Sequence, residues 1–81
     1  MKEQAVTTRK KGEQVKIVAL TGLDAAGIRK LTVFGLLPGT VIEVLQTFPA
    51  YVLKIGNTQL ALDYETAAGI LTVRMPSGQK K

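Results

Sequence analysis

The 81-residue chain contains no cysteine, no histidine and no tryptophan. Without cysteine it has neither a disulfide framework nor a thiolate metal site. Without histidine it lacks the usual proton shuttle at neutral pH and a leading ligand for transition metals. Aromatic residues are scarce as well, with only Phe34, Phe48, Tyr51 and Tyr64. Recognition of proline-rich peptides needs grooves lined with aromatic rings, so that activity is not expected. No apolar run approaches the roughly 20 residues of a membrane span. Lys16 breaks the first such run, Val15 to Leu23, and no small-residue cleavage site follows it. Neither membrane insertion nor a signal peptide is expected, and the reading is a cytoplasmic protein.

What the chain does have is a net charge of +5, and its distribution matters more than its size. Lys2, Arg9, Lys10 and Lys11 against Glu3 put +3 on residues 1–12, and Lys80 and Lys81 put +2 on residues 75–81. Between them Lys16, Arg29, Lys30, Lys54 and Arg74 balance Glu13, Asp24, Glu43, Asp63 and Glu65. A neutral body offers no stripe for phosphates, so nucleic acid is not an expected partner. The composition divides the chain into a flexible basic arm (1–12), one folded domain (13–74) and a flexible tail (75–81). A domain this small buries only about 60% of its unfolded surface or slightly more, so packing alone must stabilise it.

Within the domain the hydrophobic period is mostly two. Gln14 to Thr21 reads as a strand with Val15, Ile17 and Ala19 on one face, and Val18 and Leu20 covered on the other. Asp24 is placed to cap a helix in which Ile28, Leu31 and either Leu23 or Phe34 share a face, and Gly35 ends it. Leu37-Pro38-Gly39-Thr40 is a tight turn, and Val41 to Thr47 and Tyr51 to Ile55 are strands around the loop Phe48-Pro49-Ala50. Gly56-Asn57 is a hairpin turn into a strand over Thr58 to Leu62. A helical turn over Asp63 to Gly69 precedes the last strand, Ile70 to Arg74. Five short strands with one early inserted helix predict a mainly β fold, a small closed or partly closed barrel.

The string Gly22, Leu31, Gly35-Leu36-Leu37-Pro38-Gly39-Thr40, then Leu60-Ala61-Leu62-Asp63 and Ala67 to Val73, resembles the ferrous iron transport protein A (FeoA) family. The resemblance covers residues 13–74 and implies an SH3-like barrel. It also implies a non-enzymatic cytosolic accessory protein of ferrous iron uptake, acting on a membrane iron permease of the FeoB type that carries a cytosolic GTPase domain. Such a protein would lie at the inner face of the membrane through its partner. The alternative it implies is a regulatory domain that binds a transition metal, akin to the SH3-like domain of metal-dependent repressors.

The residues themselves favour docking over chemistry. Only Glu13, Asp24, Glu43, Asp63 and Glu65 are available as carboxylate ligands in the body, and Asp63 reads as a cap. No cofactor is therefore expected beyond weak binding of Fe2+ or Mn2+, and iron reads as cargo. No histidine base, cysteine nucleophile or convincing carboxylate pair is present, so no catalytic residue is assigned. None of the eight glycines falls in a phosphate-loop or dinucleotide spacing. What remains is apolar: Phe48, Pro49 and Tyr51, with Leu36 and Leu37 adjacent, form the expected docking surface, because aromatic anchors at loops suit interface cores. The alternative is that Phe48 and Tyr51 plug the ends of the barrel.

Overall fold

The computed structural model describes residues 3–75. Along the chain run β1 (Gln4–Ala5), a 3-10 turn (Val6–Thr8), β2 (Gln14–Leu20), α1 (Ala25–Val33), β3 (Val41–Gln46), β4 (Tyr51–Ile55), β5 (Thr58–Leu62), α2 (Tyr64–Ala68) and β6 (Ile70–Arg74). All strands join one antiparallel sheet in the order β1-β6-β2-β3-β4-β5. The expected class holds: mainly β, with one inserted helix and a helical turn before the last strand. The two end strands, β1 and β5, do not pair with each other.

Alternation builds the core. Val15 and Ile17 of β2 are buried while Gln14 and Lys16 are exposed, and Ile42 and Val44 of β3 repeat the pattern. The register of β2 against β6 shifts between Ile17 and Ala19, leaving Val18 as the extra residue. A bulge reverses the facing of every residue after it. So Leu20 packs against the core, not Ala19 as strict alternation predicts.

α1 starts where expected, with the Gly27 amide donating to the Asp24 carboxylate at 2.8 Å. It ends in a Schellman motif: the Gly35 amide donates to Thr32 O at 2.9 Å and the Leu36 amide to Leu31 O at 3.0 Å. Gly35 takes φ +89°, a conformation that costs a side-chain-bearing residue more than glycine. The motif turns Leu36 back onto Leu31, and both are fully buried. The helix face is narrower than predicted. Ile28 and Phe34 stay exposed, because a short helix at the rim turns only Leu31 fully inward.

The N-terminal arm is the main correction. Residues 1–12 read as flexible because they show no apolar period, yet β1 pairs with β6 through Gln4 opposite Thr72 and Ala5 opposite Leu71. Val6 is completely buried, and Arg9 is 7% exposed. One aliphatic and one guanidinium are enough to dock a segment too short for periodicity to register. The expected tail lies, from residue 76 on, outside the described residues.

Candidate functional site

The predicted docking residues fall into three different environments. Phe48 is 84% exposed in the loop between β3 and β4, and Pro49 beside it is also exposed. Tyr51 opens β4, half-buried, opposite Leu62 of β5. Its hydroxyl reaches Thr7 O at 3.5 Å, and its ring lies 6.2 Å from that of Tyr64, centroid to centroid. Tyr64, exposed at the start of α2, is the aromatic that sequence reasoning left inside a helical turn.

Leu36 does not belong to this surface, since its place in the helix-ending motif buries it. Leu37 is exposed but lies at the other end of β3 from Phe48. Six strand residues separate those ends, roughly 17 Å at the usual rise. Val33, which is 75% exposed, Phe34 and Val41 are exposed apolar residues as well. Gly35, at the end of α1, lies next to Ile55 of β4. The structure therefore leaves Phe48 and Pro49 exposed in one loop, packs Tyr51 against the core at the start of β4, and sets Leu36 and Leu37 apart from them.

The carboxylates are mostly engaged in structure. Glu13 pairs with Arg74 at 3.2 Å, and its other oxygen accepts from the Lys10 amide at 2.8 Å. Asp24 and Asp63 cap the two helices, and Glu43 lies opposite Lys54 in the ladder. Among the described residues no three carboxylates converge into a metal-sized cluster. A shallow groove lined by Gln14, Val41, Glu43, Lys54 and Gly56 on the outer face is open to solvent.

Asp63 carries a pH dependence. Thr66, through its side chain first and its amide second, holds the Asp63 carboxyl below its ordinary value of 3.8. A depressed carboxylate contributes stability that is complete above its unfolded value and is lost as pH falls through the folded one. Asparagine also caps but does not titrate. The stability gap between wild type and Asp63→Asn is therefore expected to narrow as pH is lowered from about 7 to about 2. Urea midpoints measure it, and a gap independent of pH would refute the assignment.

The FeoA domain family matches residues 5–74. The chain belongs to the FeoA domain family. The match starts at Ala5, in agreement with the paired β1 and not with a domain beginning at residue 13. An iron uptake regulatory protein (FeoA) of known structure is 20% identical, superposes with a TM-score of 0.81, and is covered over 100% of its length by 93% of this chain. Iron(II) transport protein A from Clostridium thermocellum is 28% identical, with a TM-score of 0.75 over 86% of this chain and 45% of its own. IdeR of T. acidophilum is 13% identical and superposes at 0.86, over 93% of this chain but only 35% of that one. The expected SH3-like fold is thus shared by FeoA proteins and by one part of the longer IdeR chain. No curated protein matches the chain. Membership places it in an iron transport family.

Proposed function

We propose that this FeoA-family chain is a non-enzymatic accessory protein of ferrous iron uptake, which docks through Phe48, Pro49 and Tyr51 on the cytosolic part of a FeoB-type iron permease. The observation that carries the reading is a phenylalanine 84% exposed on a loop held at both ends by paired strands. Aromatic side chains are enriched in the cores of protein interfaces. Family membership supplies the iron pathway. No helix among the described residues is long and apolar enough to cross a membrane.

The test is a binding titration against the permease's cytosolic GTPase domain, with and without guanine nucleotide. Phe48→Ala is expected to weaken binding by on the order of 30-fold, the scale of a hot-spot residue. Its melting temperature should stay unchanged, because an exposed side chain contributes little to folding. No interaction in any nucleotide state would overturn the proposal. The likeness to a manganese-dependent transcriptional repressor, 16% identical with a TM-score of 0.82, favours one second reading, a domain that itself responds to metal. Anaerobic titration with Fe2+ or Mn2+ separates the two, since the sensor requires saturable, localised amide shifts at micromolar metal.

A further inference from the structure

The two ends of the sheet are finished differently. β1 is two residues long and runs straight into a 3-10 turn, which leaves little edge to pair with. β5 is a five-residue edge, Thr58-Gln59-Leu60-Ala61-Leu62, with no charge, no proline and no bulge against β4. Proteins ordinarily guard such an edge with lysine, proline, a bulge or a covering element. β5 has none of the first three.

Its backbone is also available. Ile55 and Thr58 flank the two-residue Gly56-Asn57 turn and form the hydrogen-bonded pair that closes it. Antiparallel ladders alternate, so Leu60 and Leu62 direct their amides and carbonyls toward β4, while Gln59 and Ala61 direct theirs away. Gln59 and Ala61 are exposed, and among the described residues no backbone hydrogen bond reaches either from outside the β4 ladder. Two outward-facing residues separated by one form a self-complementary unit. A twofold axis through Leu60 sets Gln59 of each copy opposite Ala61 of the other and closes four backbone hydrogen bonds with no offset.

We infer that the β5 edge is a homodimer interface, joining two copies antiparallel into one continuous sheet. Charge favours a second copy in that direction. Asp63 and Glu65 follow the C-terminal end of β5, and Lys54 stands opposite Gln59 near its N-terminal end. Antiparallel pairing turns Asp63 and Glu65 of each copy toward the Lys54 side of the other, whereas parallel pairing would align like charges. Glu43 opposite Lys54 and Lys30 near Asp63 keep this contribution small. The strand is only about 17 Å long, short of a standard interface, so the dimer is weak, with a dissociation constant on the order of 100 µM. Tyr51 adjoins one end of this edge, opposite Leu62. The two readings are therefore told apart by variants that spare that pair: Phe48→Ala should affect only docking on a permease, and Ala61→Pro only self-association.

Sedimentation velocity of the full chain from about 5 to 500 µM should show concentration-dependent dimerisation. Amide exchange of Gln59 and Ala61 should slow in step with it. Ala61→Pro removes an outward N–H that β4 does not use, so the barrel should persist. The dissociation constant should rise on the order of 25-fold, two hydrogen bonds lost at roughly fivefold each. Should that proline disturb the hairpin, Ala61→Lys supplies the guard that natural edges carry and should also yield a monomer. A monomer at the highest concentration, with Gln59 and Ala61 exchanging at a rate independent of concentration, overturns the inference. So does protection of these amides only when a different chain, such as the permease domain, is added.

Discussion

Replacing Gly69 by alanine is expected to destabilise the domain by about 3 kcal/mol, lowering its melting temperature by about 12 to 24 °C. The reason is proximity, not backbone freedom. Gly69 has φ −87° and ψ −4°, which any residue adopts easily. It packs directly under the end of β2, where a Cβ would run into the Thr21 carbonyl oxygen and crowd Leu23 at 3.3 Å. The same contact is held by hydrogen bonds, because the Thr21 amide donates to Gly69 O at 2.6 Å and the Thr21 hydroxyl approaches that oxygen at 3.3 Å. Relieving the clash means parting β2 from the α2–β6 junction, and those bonds go with it. A flexible side chain could move aside, but a strand backbone cannot do so alone. Urea or thermal unfolding followed by circular dichroism measures the effect. A Gly69→Ala protein within about 0.5 kcal/mol of wild type would show that the two segments have room to separate.

How much of this was legible in advance varies with the range of the interaction. Asp24, Gly35, the Pro38-Gly39 turn and the Gly56-Asn57 hairpin act over a few residues, and each is found where the sequence put it. The Thr40 amide donates to Leu37 O at 3.0 Å across the Pro38-Gly39 turn, as that dipeptide requires. Gly69 was not readable, because its neighbour Thr21 is 48 positions away and close approach leaves no local mark. The bulge at Val18 was hidden for a similar reason, since a run such as Ile17-Val18-Ala19-Leu20 is apolar on either register. Loop chemistry alone placed Phe48 and Pro49 at the surface, where the structure has them. Leu36 was misplaced because a leucine just past a helix end looks exposed until the ending motif folds it onto Leu31. One clue to the N-terminal segment was present and unused. Thr72 occupies an inward position two residues beyond Ile70, and a polar group at a core position demands a partner.

That partner is Arg9, and its removal should cost nearly as much as filling Gly69. The Arg9 guanidinium donates from Nε to Thr72 Oγ1 and from Nη2 to Thr72 O, each at 2.9 Å, while the Thr72 hydroxyl donates on to Gln4 O at 2.9 Å. The chain thus fastens β1 to β6 through one buried, charge-assisted network. The ion pair among the described residues joins Arg74 to Glu13, so Arg9 is held by neutral oxygens alone. Arg9→Met keeps the aliphatic stem but leaves the Thr72 carbonyl and hydroxyl without their donor. Its expected cost is about 2 to 3 kcal/mol. Arg9→Lys should recover only part of that, because an ammonium has no planar fork to span both oxygens. Since Arg9 and Thr72 act as a unit, the double variant Arg9→Met with Thr72→Val should cost clearly less than the sum of the single changes. Amide exchange gives the local readout: Gln4 and Ala5 should lose protection while β3, β4 and β5 keep theirs, since β1 is at the sheet's end and its release leaves the other strands paired. Additive costs, or a β1 that stays protected without the guanidinium, would mean that Val6 alone holds the segment in place.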